Sequence, residues 1–218
     1  MSTLSGPMLA PQSGRDARQL VVLLHGYGSD GSDLIALASH WQDLLPDAMF
    51  VSPNAPEPVD GNPTGYQWFK LDLDRPLSRV EGVPLARPVV IEFLKALWAQ
   101  TGLAARDTIL AGFSQGAMMA LHVGLSLEQP LWGIIAFSGA FVPPEGFADG
   151  NKARPPICLI HGDRDGVVDP KFSAEAAEVL RAQHYEVNYH VSHGVGHGIA
   201  ADGLAFASAF IAGLTAMR

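Results

Sequence analysis

A serine lies in a short motif whose residue types suit nucleophilic chemistry. The motif Gly112-Phe-Ser-Gln-Gly116 follows the apolar run 109–111 and precedes a stretch that is typical of a helix start. A tight turn between a strand and a helix presents a serine at its apex. Glycines two residues before and two residues after the serine fit this turn, because side chains at those positions would collide. The sequence therefore predicts Ser114 as a nucleophile.

Serine needs a base, since its hydroxyl is nearly inert at neutral pH and must lose a proton as it attacks. His197 is favoured, because Gly196 and Gly198 allow a tight loop that brings the imidazole ring over the end of the sheet. His161 stands at the end of a predicted strand, where support of the following turn is the favoured interpretation. The histidines that compete for the role of base are His161, His184, His190, His193 and His197.

Two of these histidines, His184 and His190, flank a predicted strand and are expected to face solvent. A metal site built from His190, His193 and His197 is conceivable, because imidazole is a common zinc ligand. No carboxylate or thiolate stands at a matching spacing, however. We therefore expect neither a metal nor any other cofactor.

The base in turn needs a carboxylate that accepts the Nδ1–H of the imidazole and stabilises its charged form. Three aspartates compete for this role: Asp163, Asp165 and Asp169. Asp165 is favoured, because the apolar pair 167–168 follows it and can hold the loop inside the core. Asp163 stands beside Arg164, which favours a solvated or salt-bridged position, and Asp169 before a proline is typical of a helix cap.

The reaction also needs two backbone N–H groups aimed at the oxygen that becomes negatively charged. One expected donor is Gln115, directly after the serine. The other is Tyr27, in the glycine-rich segment His25-Gly-Tyr-Gly28 after the first predicted strand. A phosphate-binding loop is the alternative for this segment, but it has neither the lysine nor the third glycine that such loops use.

Strands and helices alternate along the chain, which is typical of an α/β fold with a mostly parallel central sheet and helices on both faces. The predicted strands cover residues 19–24, 48–51, 109–111, 131–137, 156–160 and 185–191, and the predicted helices cover residues 32–45, 87–100, 116–127, 171–183 and 200–214. Between residues 55 and 84 the composition predicts a long irregular region. Active sites of such folds lie at the carboxyl ends of strands, where the candidate residues stand.

Composition narrows the partners and the location. Hydrophobic residues make up 48% of the 218-residue chain, the net charge is −8, and no cluster of lysine or arginine is present, so a nucleic-acid partner is not expected. Residues 1–18 lack the apolar segment of a signal peptide and are expected to form a flexible arm before a single domain over residues 19–218. The single cysteine, Cys158, fits a reducing compartment and no run is long enough to span a membrane, so we expect a cytoplasmic protein.

Several motifs together resemble the phospholipase/carboxylesterase family of small α/β-hydrolases, which includes acyl-protein thioesterases and bacterial carboxylesterases. The matching residues are His25-Gly-Tyr-Gly28, Trp68-Phe69, Gly112-Phe-Ser-Gln-Gly116, Ser138-Gly139, His161-Gly-Asp-Arg-Asp165 with Val168, and Gly196-His197. The resemblance covers about residues 18–215. It implies an α/β-hydrolase fold without a separate cap domain. It also implies a catalytic triad of Ser114, Asp165 and His197, with oxyanion amides on Tyr27 and Gln115.

The resemblance further implies that Trp68 and Phe69 border an acyl pocket. Two positions depart from the family pattern. Val168-Asp-Pro170 stands where the family often has Val-Pro, which changes that turn. Tyr27 stands where an aliphatic residue is frequent, which narrows the entrance and disfavours long acyl chains.

The resulting hypothesis is a metal-independent serine carboxylesterase that hydrolyses short- to medium-chain esters through an acyl-enzyme. An apolar acyl group is expected to contact a wall of aromatic and aliphatic side chains formed by Tyr27, Tyr66, Trp68, Phe69 and Leu71. The alternative is that these side chains simply pack in the core. Acyl-protein thioesterase or lysophospholipase activity on the same triad is the second hypothesis, and a non-catalytic binding module is a remote third. The expected partner is a small-molecule ester, and a homodimer is an open alternative to a monomer.

Overall fold

A central sheet organises the part of the chain that the computed structural model describes, residues 4–72, 77–149 and 154–217. The strands are β1 (Met8–Leu9), β2 (Gln19–Leu24), β3 (Ala48–Val51), β4 (Glu57–Val59), β5 (Asn62–Gln67), β6 (Thr108–Phe113), β7 (Gly133–Phe137), β8 (Ile157–Gly162) and β9 (Val187–Ser192). Seven of them form one sheet in the order β1-β3-β2-β6-β7-β8-β9, in which all neighbours are parallel except β1 and β3. β4 and β5 form a separate antiparallel hairpin.

Helices cover both faces of the sheet. They are α1 (Gly31–Leu34), α2 (Ala38–Trp41), α3 (Ser78–Thr101), α4 (Gln115–Gly124), α5 (Lys171–Ala182) and α6 (Ala201–Ala216). One buried cluster joins α3, α4 and α5 to the sheet, and a second joins α1, α2 and α6 to the opposite face. The predicted fold class, a mostly parallel sheet between helical layers, is thereby confirmed. Over the described ranges, no helix is both long enough and apolar enough to cross a membrane.

The central strands are buried because their sequences are continuously apolar rather than alternating. Every residue from Leu20 to Leu24 in β2 and from Ile157 to Gly162 in β8 is buried. A strand covered by helices on both faces needs apolar side chains on both faces. The parallel arrangement brings the carboxyl ends of β2, β6, β8 and β9 to one edge of the sheet, where the loops with the candidate residues begin.

The region between residues 55 and 84 is more regular than the sequence predicts. It contains the hairpin β4–β5, and α3 begins at Ser78, well before the predicted helix start. Pro84 and Pro88 lie inside this helix, although proline lacks the N–H that an internal position uses. Burial of neighbouring apolar side chains stabilises these turns, and the local sequence does not reveal such tertiary contacts. Residues 73–76 of the predicted irregular region lie outside the described residues.

The N-terminal segment differs from the predicted flexible arm. Met8–Leu9 pairs antiparallel with β3, and the backbone N–H of Ser52 donates to Pro7 O at 3.0 Å. Pairing of this kind uses backbone groups at an open sheet edge and leaves no hydrophobic pattern in the sequence. Met8–Leu9 therefore forms an edge strand of the sheet, while residues 1–3 of the predicted arm lie outside the described part of the chain.

Candidate active site

The serine lies at a strained turn between β6 and α4. Ser114 has φ 54° and ψ −115°, a backbone conformation that residues with side chains rarely adopt. A Cβ added at Gly112 would meet the backbone of Gly116, and a Cβ added at Gly116 would meet Leu24 O, so glycine is required at both positions. Strain of this kind persists only where the surrounding structure imposes it. The turn therefore holds Ser114 Oγ at the carboxyl edge of the sheet.

Two side chains from distant loops meet the serine. His197 Nε2 lies 3.0 Å from Ser114 Oγ, and His197 Nδ1 lies 2.7 Å from Asp165 Oδ2. Because the carboxylate accepts from Nδ1–H, Nε2 is free to accept the proton of the serine hydroxyl. The Phe113 ring packs against the imidazole, with the ring centroids 4.8 Å apart. The structure thus brings together the three residues predicted as nucleophile, base and orienting carboxylate.

The Asp165 carboxylate is buried and nevertheless held in its charged form. Its side chain has 0% exposure, and Oδ1 accepts the backbone N–H groups of Val167 and Val168 at 2.8 and 2.9 Å. Burial raises the pKa of this carboxyl, but the hydrogen bonds from His197 and the two backbone groups outweigh burial and keep the pKa below its ordinary value. At neutral pH the group therefore carries a negative charge that can stabilise a protonated His197.

Asp163, the first alternative carboxylate, joins two loops instead. Its Oδ2 lies 2.9 Å from His193 Nδ1, and its Oδ1 accepts the backbone N–H of Gly194 at 2.6 Å. The hydrogen bond from His193 is the main cause that lowers the pKa of Asp163, followed by that from Gly194. These contacts hold the loop that carries His197 against the loop that carries Asp165.

The remaining candidates have other partners. Asp169 Oδ1 accepts the backbone N–H of Lys171 at 3.0 Å and so caps the start of α5, as its sequence position suggests. His190 Nε2 lies 2.8 Å from Asp202 Oδ2, while His184 is exposed. The three histidines considered for a metal site therefore contact three separate carboxylates, those of Asp202, Asp163 and Asp165.

The glycine-rich loop after β2 lies directly against the nucleophile. A Cβ added at Gly26 would lie 3.4 Å from Ser114 Cβ. Tyr27 follows in the chain, and Gln115 opens α4, where the first N–H groups of a helix lack partners within the helix. Within the described residues, the backbone N–H groups of Tyr27 and Gln115 donate to no backbone acceptor. Two such donors beside a nucleophile can bind an oxyanion.

The hairpin β4–β5 holds this loop from outside. Gly28 N–H donates to Tyr66 O at 2.9 Å, and Tyr66 N–H donates to Ser29 O at 2.8 Å. The indole N–H of Trp68 donates to His25 O at 2.9 Å. The path of the loop is therefore fixed by backbone and indole hydrogen bonds from a separate element of structure.

The buried ring of His25 holds the same loop from inside. Its Nε2 accepts the backbone N–H of Ala55 at 2.9 Å, so Nδ1 carries the hydrogen and donates to Gly26 O at 2.7 Å. This arrangement requires a neutral ring. Burial is the main cause that lowers the pKa of His25, which keeps the ring in that neutral form.

The side chain of Gln115 connects the nucleophile turn to the hairpin. Its Oε1 accepts the backbone N–H of Trp68 at 2.8 Å, and its Nε2–H donates to Phe69 O at 2.7 Å. Both bonds are buried, since only 1% of Gln115 is exposed. One residue thus contributes the N–H predicted for the oxyanion and a carboxamide that fixes the segment Trp68-Phe69.

The five residues predicted as one apolar wall have different environments. Trp68 and Phe69 are exposed by only 2% and 5%, belong to a core cluster, and line a groove of about 630 Å³ beside the first turns of α3. Tyr27 is 44% exposed, whereas Tyr66 and Leu71 are half-buried against the core. One side of Trp68 and Phe69 packs in the core, as the core-packing alternative expects, and the other side lines the groove.

The sequence does not predict two buried polar groups in this region, the carboxamide of Gln115 and the ring of His25. The ring of His161, which is predicted to support the turn after its strand, lies against Val168 O in that turn and also contacts Asp165. The sequence does carry a signal for them, because each stands at or just beyond the carboxyl end of an apolar strand. A polar side chain buried there must find a hydrogen-bond partner. The sequence does not reveal which partner, since Trp68 is 47 residues away from Gln115 along the chain.

Known proteins named as esterases and thioesterases resemble this chain. A family model described as phospholipase/carboxylesterase matches residues 10–215. Esterase YpfH of Escherichia coli (strain K12) is 35% identical over 168 residues, which cover 76% of this chain and 70% of that protein. Acyl-protein thioesterase 1 of Saccharomyces cerevisiae is 32% identical over 186 residues, which cover 78% of this chain and 82% of that protein.

Solved structures share the fold. The crystal structure of esterase PE8 matches with a TM-score of 0.93 and 54% identity, covering 98% of this chain and 100% of that chain. The crystal structure of Arabidopsis thaliana SOBER1 matches with a TM-score of 0.76 and 22% identity, covering 91% of this chain and 100% of that chain, a likeness that shows the fold alone. The α/β-hydrolase fold implied by the sequence motifs is confirmed.

Proposed function

The chain belongs to the phospholipase/carboxylesterase family, and we propose that it is a serine carboxylesterase that uses Ser114, His197 and Asp165 as a catalytic triad. The position of His197 carries the proposal, because its ring nitrogens lie 3.0 Å from Ser114 Oγ and 2.7 Å from Asp165 Oδ2. A hydroxyl, an imidazole and a buried carboxylate in this order can activate serine as a nucleophile.

In the first half of the proposed reaction, Ser114 Oγ attacks the ester carbonyl carbon while His197 Nε2 takes its proton. The backbone N–H groups of Tyr27 and Gln115 bind the negative charge on the carbonyl oxygen, and they need no reorganisation because the fold already holds them. His197 then gives the proton to the leaving alcohol, and the acyl group remains on Ser114 as an ester.

In the second half, a water molecule attacks the acyl-enzyme while His197 Nε2 takes a proton from that water. The carboxylic acid leaves as His197 returns the proton to Ser114 Oγ. Asp165 stays a carboxylate throughout and stabilises the imidazolium in both halves. Proton transfer therefore needs only groups that the site already contains.

We propose an acyl group of short to medium length. Tyr27 is 44% exposed and follows Gly26, which lies against Ser114, so we place its ring at the entrance to the site. Such a ring favours small acyl groups over long ones.

Thioester hydrolysis is the second candidate. A thioester presents the same carbonyl to the nucleophile, so the triad would need no change. Relatives named acyl-protein thioesterase favour this candidate. Lysophospholipase activity would place the same demands on the site, with a long acyl chain and a charged alcohol.

A chain-length series separates these candidates. The value of kcat/KM is measured for p-nitrophenyl esters from acetate to palmitate and for the matching acyl thioesters. The proteins compared are the wild type, Ser114→Ala and the control Ser39→Ala, which changes an exposed serine in α2. We expect the highest values for short or medium esters, no turnover by the Ser114 variant and full turnover by the control.

Other outcomes would redirect the proposal. Values that rise up to palmitate, with thioesters preferred, would favour a thioesterase. Unchanged activity of Ser114→Ala would refute Ser114 as nucleophile. Turnover of none of the substrates by the folded wild type would favour a non-catalytic binding module.

The cytoplasmic location and the homodimer stay predictions from the sequence. The start of the domain is proposed to lie before residue 8, since Met8–Leu9 forms part of the sheet. Removal of residues 1–12 would then lower the thermal stability of the protein, whereas removal of a flexible arm would not.

A further inference from the structure

A second buried histidine contacts the carboxylate of the proposed triad. The side chains of His161, at the end of β8, and Asp165 are both 0% exposed. His161 Nε2 lies 3.1 Å from Asp165 Oδ2 and 2.9 Å from Val168 O, and its Nδ1 lies 2.6 Å from Ser173 Oγ. The reaction proposed above gives this ring no role.

The contacts determine which nitrogen of His161 carries a hydrogen. An ionised carboxylate and a backbone carbonyl can only accept, so Nε2 is the donor toward Asp165 and Val168. In a neutral ring, Nδ1 accepts the hydroxyl hydrogen of Ser173. In a charged ring, Nδ1–H donates to Ser173 Oγ, and the hydroxyl hydrogen faces Gly139 O at 3.4 Å. Nε2 therefore keeps its hydrogen in both states.

We propose that His161 is a positioning residue that fixes the Asp165 carboxylate for His197, an inference that rests on the proposed function. The imidazole N–H groups of both histidines point to the same oxygen, Oδ2, at 2.7 and 3.1 Å. Oδ1 is held by the backbone N–H groups of Val167 and Val168. The carboxylate cannot rotate without losing a buried hydrogen bond, which is costly for a charged group.

The effect of His161 reaches the reaction through Asp165. Its bond to Val168 O also ties the turn after Asp165 to the end of β8, so one ring fixes both the carboxylate and the loop that bears it. If this ring is lost, the carboxylate and the His197 ring can shift together. A shift of about 1 Å in a catalytic group can slow a reaction about 100-fold. Loss of His161 should therefore lower kcat and leave KM nearly unchanged.

The experiment compares substitutions that keep or remove an N–H at the position of Nε2. His161→Gln places an amide N–H near Asp165, His161→Asn places its shorter amide near Ser173, and His161→Leu keeps only the volume. His40→Gln, at an exposed position in α2, is the matched control. The measurements are kcat and KM with p-nitrophenyl butyrate, the rate at which a fluorophosphonate labels Ser114, and thermal unfolding.

In His161→Leu we expect kcat to fall about 10- to 100-fold, with slower labelling and little change in KM. His161→Gln should recover most of the lost kcat, His161→Asn should not, and His40→Gln should match the wild type. A folded leucine variant with wild-type kcat would overturn the proposal. Equal losses of kcat in the glutamine and asparagine variants would overturn it as well, and failure of both variants to fold counts as the same result. This comparison does not need a folded leucine variant. Failure of the proposed function itself is distinguishable, because the wild type would then neither hydrolyse the ester nor be labelled at Ser114.

Discussion

The two halves of the proposed site are built in different ways. In the acid–base half, side chains contact side chains, and Asp165 bridges His161 and His197 at the ends of β8 and β9. In the oxyanion half, backbone N–H groups are the proposed donors. The segment that carries them is held by Tyr66 in β5, by Trp68 just after β5 and by the carboxamide of Gln115. Activity of the acid–base half depends on the chemical groups of three side chains, whereas activity of the oxyanion half depends on the position of backbone N–H groups.

This difference predicts distinct consequences of mutation. A change in the acid–base half should lower the rate while the fold stays intact, because it removes a charge or a proton acceptor. A change in the oxyanion half should lower the stability together with the rate, because it removes buried hydrogen bonds that hold the backbone. Substitutions in each half therefore test the comparison.

The largest effect is expected for Asp165→Asn in the acid–base half. The substitution keeps the shape but removes the charge that stabilises a protonated His197, and the new amide can donate to Nδ1 and favour the wrong tautomer. We expect kcat to fall about 10⁴-fold. Steady-state kinetics with p-nitrophenyl butyrate give the value. Asp169→Asn, at the exposed start of α5, is the matched control, and a wild-type kcat in Asp165→Asn would remove Asp165 from the triad.

Gln115→Leu tests the oxyanion half by removing the carboxamide that holds its backbone. The backbone N–H of residue 115 remains, but Trp68 N–H and Phe69 O lose their partners, which costs about 1–3 kcal/mol for each group. We expect the free energy of unfolding in urea to fall. The loss in kcat/KM should stay below the roughly 100-fold that removal of an oxyanion donor costs.

Gln115→Glu is the matched control for this prediction, because it keeps an acceptor for Trp68 N–H and loses only the donor to Phe69 O. Its unfolding free energy should lie between those of the wild type and the leucine variant. A leucine variant as stable as the wild type would break the comparison, since the hairpin would then be held without the carboxamide.

A third prediction concerns the pH dependence of stability in the oxyanion half. Burial lowers the pKa of His25 in the folded chain, so the unfolded chain takes up a proton near pH 6.5 while the folded ring stays neutral. Folding stability should therefore decrease as the pH falls below about 6.5, by at most about 1.4 kcal/mol per pH unit for this one proton. The loss stops growing once the pH is below the folded pKa.

His25→Gln isolates this contribution, because glutamine offers an acceptor for Ala55 N–H but does not titrate. Thermal unfolding of both proteins is followed between pH 7.5 and pH 5. We expect the wild type to lose more stability than the variant over this range. Parallel curves would mean that His25 does not stay neutral in the fold.

The smallest effect is expected for Asp163→Ala in the acid–base half. Asp163 joins the loops of Asp165 and His197 through His193 and Gly194, but the side chains of His193 and Asp163 are 85% and 37% exposed. Exposed ion pairs contribute little, so kcat/KM should change by less than about threefold. The measurement uses the same ester, with Asp163→Asn as a control that keeps an acceptor. A loss as large as that of Asp165→Asn would mean that the loop contact, rather than the buried carboxylate, carries this half.

The fold could be predicted wherever burial leaves a local pattern. The continuously apolar strands β2, β6 and β8 and the helices between them follow from composition and spacing. The strand at Met8–Leu9 and the early start of α3 at Ser78 could not be predicted. The first uses only backbone pairing at a sheet edge, and the second depends on tertiary burial that outweighs two prolines.

The site could be predicted where residue type determines the chemistry. Ser114, Asp165 and His197 were recognisable because glycines and strand ends surround them, and the structure brings them together. The bonds of Gln115 could not be predicted, because its partners are backbone atoms 46 and 47 residues away. For His161 the sequence indicates support of the following turn but does not show that the ring also contacts Asp165. The apolar wall was predicted as one surface, whereas its members have different degrees of burial.

The most direct test of the account is the labelling of Ser114 by a fluorophosphonate, which reacts with a serine that a neighbouring base has activated. Intact mass and peptide mapping locate the adduct in the wild type and in His197→Gln, which removes the base. The account predicts one adduct per chain, on Ser114, in the wild type, and labelling slowed by orders of magnitude in His197→Gln. An adduct on another residue, or labelling of His197→Gln at the wild-type rate, would contradict it.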